Sequence, residues 1–542
     1  MTTARVAVAL PDWVALRART HGDHVAVEAP DATLTYAALD ARVGAAAAAL
    51  RARGLRDGAP VALLMTAGSG FATAAHAVPR AGGVLMPLNA RLATAELAWQ
   101  LADAGARLLV ADEATLSAAR AAADAAGGVE VIDAEALVDM PAATPSRSSR
   151  GSPDRSEWVQ REIEGERRPS FHSGRTGEEH HAGRTDAPGE IDPGRPHSVL
   201  YTSGTTGRPK GALLTHGNFH WSAVGSGLNL GVDPADRWLA CMPLFHVGGL
   251  SILLRSAIYG TTAVVHERFD EARVNRALRE QGVTLLSVVA TMLGRMLDAD
   301  DAPYPSSVRA VLVGGGPAPR PLLEAARDRG LPVLQTYGLT EAASQVTTLP
   351  AVDGLRKPGS SGLPLPGTTV RIAPAGDADG ARAVPGEIGE ILVAGPTVTP
   401  GYRGRPDATA AALRGGWLRT GDVGFLDAEG YLTVVDRRED LIVSGGENVY
   451  PAEVEAVLLA HPGVLECAVF GAPDEAWGQR VTAVIVTRPG AAADLLTTDA
   501  LAAFCRERLA AYKVPRTFAV RAEALPRTAS GKLQRHLVML EE

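Results

Sequence analysis

A run of glycines, hydroxyl residues and cations from Thr202 to Gly211 constrains this chain more than any other segment. It follows the apolar segment 198–201, which predicts a strand. Glycines let the backbone turn tightly and present N–H groups to an anion, and Lys210 adds a positive charge. The run is not the common P-loop, because Pro209 stands where that motif needs glycine. It therefore predicts a phosphate-binding loop, with a solvated Ser/Thr/Gly linker as the alternative.

The apolar segments of the chain predict the fold class. Before about residue 140 they alternate with Ala-rich helical patterns, which is typical of βαβ units and a parallel sheet. Strand patterns recur between 198 and 335, and near Val370 they become short, with Gly/Pro turns. We therefore predict an α/β fold. A large N-terminal domain of stacked βαβ sheets plus a β-rich subdomain spans 1–436, and a small, separate α+β C-terminal domain, which the family resemblance described below implies is mobile, spans 437–542.

Length and charge exclude several classes of protein. A chain of 542 residues is too long for one ordinary core. Its net charge of -8, without a long basic tract, argues against nucleic acid as a partner. Residues 59–79 carry no charge, but their polar and Ala-rich composition predicts a buried strand and helix, and no transmembrane segment. Because no signal-peptide pattern is present either, we expect a cytoplasmic protein.

Residues from about 145 to 196 differ from the rest of the chain. They are rich in Ser, Arg, Glu, Gly, His and Pro and poor in aliphatic residues, which predicts a disordered or weakly ordered insertion. The three cysteines, Cys241, Cys467 and Cys505, lack metal-ligand spacing, so we expect them to be buried, reduced thiols.

Two motifs follow predicted strands in the second half of the chain. Glycines 314–316, which precede Pro317, leave a stretch of backbone without side chains against which a flat ring can lie. An ordinary strand-to-helix turn has the same sequence pattern and is the alternative. Thr340 and Glu341 follow the strand pattern 332–335, and ligands of such sheets bind beyond the carboxyl ends of strands. Thr340 can donate a hydrogen bond to a phosphate oxygen. Glu341 is an oxygen ligand of the kind that Mg²⁺ prefers, and the alternative is an ordinary surface glutamate.

Three later motifs complete the series. Asp422 lies in a tight turn, either as a turn former or as an acceptor for ribose hydroxyls. Gly445 and Gly446 follow a charged stretch, and Lys532 lies on a Gly-containing turn. Each motif alone is weak, whereas their order and spacing together are specific.

In this order the motifs resemble those of the adenylate-forming (AMP-binding) superfamily, which includes acyl-CoA synthetases, luciferases and the adenylation domains of peptide synthetases. The resemblance covers nearly the whole chain apart from the insertion. It implies a reaction in which ATP and a carboxylic acid give an acyl-adenylate and pyrophosphate, and a thiol then displaces AMP. ATP, Mg²⁺ and the co-substrate CoA are the implied cofactors.

The resemblance also implies a role for each matching residue. The loop would hold the β- and γ-phosphates through Thr202, Ser203, Gly204, Thr205, Thr206, Gly207 and Lys210. The adenine and acyl pocket would be lined by Gly314, Gly315, Gly316 and Pro317, with Tyr337 stacked on adenine. Thr340 would touch the α-phosphate, Glu341 would ligate Mg²⁺, and Lys532 would bridge the carboxylate and the α-phosphate. Ribose would be bound by Asp422 and Arg437, Gly445 and Gly446 are further cofactor-binding candidates, and Glu439 is the candidate pivot between the domains.

Arg255 bears on the identity of the acid. It follows Ser251 by four residues in a helical, otherwise apolar pattern. In one interpretation its guanidinium reaches water from a helix end. In the other it pairs with a second carboxylate of the substrate, because burying a carboxylate without a partner is prohibitive. The surrounding pattern resembles the o-succinylbenzoate–CoA ligases of menaquinone synthesis, whose substrate is a dicarboxylate. The pocket candidates are His246 (also a catalytic candidate), Ser251, Arg255, Thr291 and Ser344.

Three alternatives stay open at this point. They are another acyl- or aryl-CoA ligase of the same fold, an amino-acid-activating domain, and a non-catalytic adenylate-binding protein. The expected partners are a small-molecule carboxylic acid and CoA, and the sequence leaves open whether the chain forms a homo-oligomer.

Overall fold

A computed structural model describes residues 9–138, 190–202, 209–315, 318, 320–354, 356–357, 359–374, 383–436, 442–449, 451–521, 523–526 and 538. Two large sheets, a β-rich module and a separate C-terminal sheet account for most strands of these residues. The predicted α/β fold is confirmed.

The first large sheet carries the candidate phosphate loop at one edge. Its central strands are parallel and buried on both faces, so they are continuous apolar runs such as Pro60–Leu64. The order is β20 (Gly401–Tyr402), β10 (Lys210–Thr215), β9 (Pro196–Thr202), β5 (Val84–Pro87), β4 (Pro60–Leu64), β6 (Leu108–Ala111) and β7 (Glu130–Asp133). The antiparallel pairs β20–β10 and β10–β9 close the loop edge.

The second large sheet is parallel in its centre and antiparallel at both ends. Its order is β17 (Leu363–Pro364), β16 (Ser344–Thr348), β15 (Val333–Leu339), β14 (Ala310–Gly314), β13 (Leu285–Val289), β11 (Arg237–Ala240), β12 (Thr262–Val265), β2 (Val25–Glu28) and β3 (Thr33–Thr35). The strands predicted between 262 and 335 are all present in it.

Helices cover both large sheets and meet in one apolar core between them. Several begin at a capping residue: the Thr35 hydroxyl accepts from the Ala38 N–H at 3.2 Å, for example. The N-terminal helices are α1 (Trp13–Thr20), α2 (Tyr36–Ala52), α3 (Ser69–Arg80), α4 (Thr94–Ala104), α5 (Leu116–Ala126), α6 (Glu135–Val138), α7 (His216–Leu230), α8 (Val247–Tyr259), α9 (Glu271–Glu280), α10 (Ala290–Ala299), α11 (Arg320–Asp328) and α12 (Pro406–Ala412). The uncharged segment 59–79 forms β4 and most of α3, as expected, and no described helix is long and apolar enough to cross a membrane.

The β-rich module and the C-terminal domain each have their own apolar cluster. The module contains β18 (Thr369–Pro374), β19 (Gly389–Ala394), β21 (Leu413–Arg414), β22 (Trp417–Leu426) and β23 (Leu432–Asp436). The C-terminal domain contains β24 (Ile442–Ser444), β25 (Glu447–Val449), α13 (Pro451–Leu459), β26 (Val464–Asp474), β27 (Gly478–Thr487), α14 (Thr498–Arg506) and β28 (Thr517–Arg521). Residues 437–441 lie outside the described residues, so the predicted boundary between 436 and 437 stays a prediction.

The predicted insertion extended too far at its C-terminal end. Strand β8 (Glu190–Ile191) pairs antiparallel with β1 (Leu10–Pro11), and the Arg195 guanidinium forms an ion pair with Asp57. Because residues 190–196 are mostly polar, their composition does not indicate that their backbone pairs with the N-terminal segment. Residues 145–189 of the predicted insertion lie outside the described residues. All three cysteines are buried, as expected.

Candidate active site

A cavity of about 300 Å³ lies where the large sheets, the β-rich module and the C-terminal domain meet. The carboxyl ends of β13 and β14 form part of its wall through Val289 and Gly314. This is the edge at which ligands of parallel sheets bind.

The cavity brings together predicted site residues from widely separated parts of the sequence. Those that line it are Thr202, His246, Arg255, Gly314, Gly315, Thr340, Glu341, Ser344, Asp422 and Gly446. Other predicted residues lie outside the described part of the chain: Ser203, Gly204, Thr205, Thr206, Gly207, Gly316, Pro317, Arg437, Glu439 and Lys532.

The two ends of the candidate phosphate loop lie side by side. Thr202 ends β9 and Lys210 begins β10, and the two residues face each other in the antiparallel ladder. Thr202 lines the cavity, whereas the Lys210 ammonium lies 5.5 Å from the centre of the Tyr402 ring. The strand pairing therefore anchors both ends of the loop at the cavity.

Glu341 is a buried carboxylate in the cavity wall. It lies in a 3₁₀ turn directly after β15, is 5% exposed, and accepts a hydrogen bond from the Tyr402 hydroxyl at Oε1, 2.8 Å away. The described residues contain no group of three or more His, Cys, Asp or Glu side chains that could hold a metal. One carboxylate beside the Thr340 hydroxyl suits Mg²⁺ that is carried mainly by substrate phosphates.

Tyr337 does not line the cavity, and its stacking on adenine stays a prediction. Strand β15 continues to Leu339, and its register shifts between Tyr337 and Gly338. Thr336, Gly338 and Leu339 line the cavity, while the Tyr337 ring packs in the apolar cluster of the β-rich module. Its hydroxyl donates to Asp422 Oδ2 at 2.7 Å. This hydrogen bond from Tyr337 orients the carboxylate of Asp422, the candidate for ribose binding.

Arg255 is buried in the cavity wall without an ionic partner among the described residues. It lies on α8, is 3% exposed, and donates from Nη2 to Ser222 Oγ at 2.9 Å. Its Nε has no hydrogen-bond partner in the described part of the chain, and its guanidinium carbon lies 5.7 Å from the centre of the Trp238 ring. Burial lowers the pKa of this guanidinium. The head does not reach water from a helix end, so the cavity wall contains a buried cation to which none of the described residues supplies a counterion.

Two of the predicted substrate residues do not reach the cavity. Ser251 is buried within α8, where its hydroxyl donates to the Gly248 carbonyl at 3.1 Å. Thr291 is exposed at the start of α10 and faces Gly478 of the C-terminal domain. Ser344 does line the cavity, and its φ of 101° is one that residues other than glycine rarely adopt.

The hairpin of β24 and β25 brings the C-terminal domain to the cavity. Gly446, at φ 85°, lies close to Val289 at the end of β13. Gly445 does not line the cavity but packs against the Trp477 ring. A side chain at either position would strain a left-handed backbone.

His246, the residue before α8, meets this hairpin. Its Nε2 lies 3.5 Å from Glu447 Oε2, and the other carboxylate oxygen of Glu447 pairs with Arg91 of the N-terminal domain. Burial and the Arg91 cation lower the pKa of the His246 imidazole. His246 is therefore neutral at physiological pH.

Family models match most of the chain. Residues 14–403 match the AMP-binding enzyme model, and residues 453–532 match the AMP-binding enzyme C-terminal domain model. The chain belongs to the AMP-binding enzyme family.

Relatives within this family share both sequence and structure with the chain. The 2-succinylbenzoate–CoA ligase of Geobacillus kaustophilus (strain HTA426) is 44% identical over 97% of this chain and 96% of its own. A double mutant of o-succinylbenzoate CoA synthetase from Bacillus subtilis, bound with its product analogue OSB-NCoA, is 38% identical, with a TM-score of 0.83 over 98% of both chains. The same enzyme in complex with the acyl-adenylate intermediate OSB-AMP gives a TM-score of 0.68 over the same coverage.

Sequence reasoning missed the residues at which the two domains of this family member meet. Asn89, Tyr512 and Lys513 line the cavity, and the Asn89 amide donates to the Tyr512 hydroxyl at 3.2 Å. The Arg91 guanidinium lies 5.2 Å from the centre of the Tyr512 ring. No local pattern connects residues more than 400 positions apart, so the domain arrangement alone reveals them.

Proposed function

We propose that this protein is an ATP-dependent acid–thiol ligase that converts 2-succinylbenzoate (o-succinylbenzoate) and CoA to 2-succinylbenzoyl-CoA, AMP and diphosphate. The reaction proceeds through an acyl-adenylate and belongs to menaquinone biosynthesis. The named relative at 44% identity supports the choice of acid. Another acyl- or aryl-CoA ligase of the same fold is the alternative.

The observation that carries this choice is the buried, unpaired cation of Arg255 in the cavity wall. A guanidinium without an anion loses hydration and gains no ion pair, which is costly. An acid with two carboxylates resolves this, because one can be activated while the other pairs with Arg255. A fatty acid, with a single carboxylate, would leave the cation unpaired.

The polar residues of the cavity fit the adenylation of such an acid. Glu341 and Thr340 would hold Mg²⁺ and the α-phosphate region of ATP, and Asp422 would accept from ribose hydroxyls. When bound, Mg²⁺ neutralises charge on the phosphate oxygens. Thr202 and the loop after it would grip the leaving diphosphate, and Lys532 would bridge the attacking carboxylate and the α-phosphate. These roles match the position of each residue in the family pattern.

The domain arrangement suits the second step, in which the thiol of CoA displaces AMP. The relative bound with a product analogue matches this chain with a TM-score of 0.83, against 0.68 for the same enzyme with its acyl-adenylate. In this arrangement Tyr512, Lys513 and His246 line the cavity. We infer that the structure corresponds to the thioester-forming state. ATP and CoA as substrates also favour the cytoplasmic location expected from the sequence.

The test is AMP release that depends on both ATP and CoA, with 2-succinylbenzoate beside benzoate, succinate and medium-chain fatty acids. We expect 2-succinylbenzoate to give the highest kcat/KM. A higher value for any of the other acids would contradict the proposed substrate and leave the reaction type intact.

Arg255→Ala tests the observation that carries the choice. We expect it to raise KM for 2-succinylbenzoate at least tenfold, because the second carboxylate loses its partner, and to leave KM for a monocarboxylic acid unchanged. Arg295→Ala, which removes an exposed arginine of α10, is the matched control. Unchanged KM and kcat for 2-succinylbenzoate in Arg255→Ala would refute the role of Arg255.

A further inference from the structure

Glu341 is held from two sides by a segment about sixty residues later in the chain. The Tyr402 hydroxyl donates to Glu341 Oε1 at 2.8 Å. Three residues earlier, the Thr399 N–H donates to the Glu341 carbonyl oxygen at 2.8 Å. The segment from Thr399 to Tyr402 therefore fixes both the backbone and the carboxylate of Glu341.

The same segment is attached to the strand that follows the candidate phosphate loop. In the pairing of β20 with β10, Tyr402 faces Ala212. The Thr399 hydroxyl bonds the Leu213 carbonyl, and the Lys210 ammonium lies 5.5 Å from the centre of the Tyr402 ring. Tyr402 thus lies between the end of the loop and the carboxylate of Glu341.

Tyr402 is itself held in place by α12. Its N–H donates to Thr409 Oγ1 at 3.0 Å, and that hydroxyl donates to the Arg405 carbonyl at 2.9 Å. Gly401 has a φ of 141°, and a Cβ there would lie 2.4 Å from Thr409 Cγ2. The backbone that carries Tyr402 is therefore fixed before any ligand binds.

We propose that Tyr402 is a positioning residue for the metal carboxylate of the adenylation step. This inference rests on the proposed role of Glu341. Mg²⁺ requires nearly ideal octahedral geometry, so a carboxylate that is already oriented binds it better than one free to rotate. The Tyr402 hydroxyl holds one oxygen of Glu341 and so sets the direction of the carboxylate toward the cavity. Groups that orient ligands in this way typically contribute 10- to 100-fold to metal affinity.

The experiment uses full-length protein and α,β-methylene-ATP, an analogue that cannot be cleaved at the α–β bond. The Kd of the analogue is measured by calorimetry, once with excess Mg²⁺ and once in EDTA. The Kd in EDTA divided by the Kd with Mg²⁺ gives the metal contribution to binding. We expect Tyr402→Phe to reduce this ratio about 10- to 100-fold and to leave the Kd in EDTA unchanged. Thioester formation from preformed acyl-adenylate should keep its rate.

Tyr431→Phe is the matched control, because it removes a tyrosine–carboxylate hydrogen bond of 2.7 Å, to Asp353, far from the cavity. It should leave the ratio unchanged. Tyr402→Leu, which also lacks a donor, serves as the test if Tyr402→Phe does not fold. A wild-type ratio in the folded variant, Tyr402→Phe or else Tyr402→Leu, would overturn the proposal.

Glu341→Gln separates this proposal from the one on which it rests. We expect it to remove most of the metal contribution. If Glu341→Gln binds the analogue with the wild-type ratio, the metal role of Glu341 is wrong. If Glu341→Gln loses the metal contribution and Tyr402→Phe keeps it, only the role of Tyr402 is wrong.

Discussion

Lys513 Nζ lies 2.8 Å from Glu96 Oε1, and this ion pair joins the C-terminal domain to helix α4 of the N-terminal domain. The same ammonium lies 2.7 Å from Glu453 Oε1. Although burial alone would lower it, the two carboxylates raise the pKa of Lys513. The pKa of Glu453 is raised by burial. The pair with Glu96 requires the domains to lie as they do here.

Lys513→Met should impair the thioester-forming step selectively. The buried carboxylate of Glu453 and the partly exposed carboxylate of Glu96 would lose their cation, and breaking a buried pair costs about 3–5 kcal/mol. When the two domains separate, water can solvate the carboxylate of Glu96 again. The arrangement in which the domains are in contact is therefore less populated in this variant. We expect CoA-dependent AMP release from preformed acyl-adenylate to fall at least tenfold, with ATP–pyrophosphate exchange close to wild type.

Lys357→Met provides the control for this variant. Lys357 also lies between two carboxylates, those of Asp427 and Glu429, but on the surface of the β-rich module. Both half-reactions should keep their rates in this variant. An equal loss of both half-reactions in Lys513→Met would show that the residue acts on folding and not on docking.

Lys532→Ala should give the opposite pattern. The proposed role of Lys532 is to neutralise charge between the carboxylate and the α-phosphate, which is needed only during adenylation. We expect ATP–pyrophosphate exchange to fall about a thousandfold, as for the loss of one well-placed cation. Thioester formation from preformed acyl-adenylate, measured by stopped flow, should be largely spared. Comparable losses in both assays would refute this assignment.

Acid should destabilise the N-terminal domain through a cluster of buried histidines. Burial lowers the pKa of His76 and His216 to about 4, and it lowers the pKa of His197 as well. The unfolded chain takes up protons near pH 6.5 that the folded chain excludes, so stability is complete above that pH and falls below it, down to the folded pKa. Each group contributes up to about 1.4 kcal/mol per pH unit.

Chemical unfolding between pH 7.5 and pH 4.5 measures this effect. The midpoint denaturant concentration should fall steadily below pH 6.5. The slope against pH should be smaller in His76→Gln, which removes one of the titrating groups. A midpoint independent of pH in this window would contradict the prediction, as would a wild-type slope in His76→Gln.

The sequence predicted those parts of the fold and the site that depend on local patterns. The apolar strands follow from periodicity, and Gly314 and Gly315, at the end of β14, line the cavity. Arg255 was recognisable because a charge within an apolar helix must have a reason to be buried. In each case the signal lies within a few residues of the group itself.

Other features depend on contacts between distant segments or on details of register. Tyr337 lies on the part of β15 that runs four residues beyond its apolar pattern, and its ring packs in the apolar cluster of the β-rich module. Ser251 has the right spacing from Arg255, but a carbonyl of its own helix takes its hydroxyl. Tyr402 and Lys513 act through partners 61 and 417 residues away, which no local pattern encodes.

The last prediction concerns Ser222, on which the orientation of Arg255 depends. Its hydroxyl accepts from Arg255 Nη2 at 2.9 Å and donates to the Ala343 carbonyl at 2.7 Å. Ser222→Ala removes the hydrogen bond that holds the guanidinium, and a bond to a charged group is worth about 1.5–3 kcal/mol. We expect KM for 2-succinylbenzoate to rise about tenfold or more, with KM for benzoate unchanged. Ser226→Ala, which removes a buried hydroxyl one turn later on α7 that makes no hydrogen bond to Arg255, is the control. Steady-state kinetics with both acids decides the matter, because an equal change for the two acids would mean that Ser222 supports the fold of the pocket and not the cation.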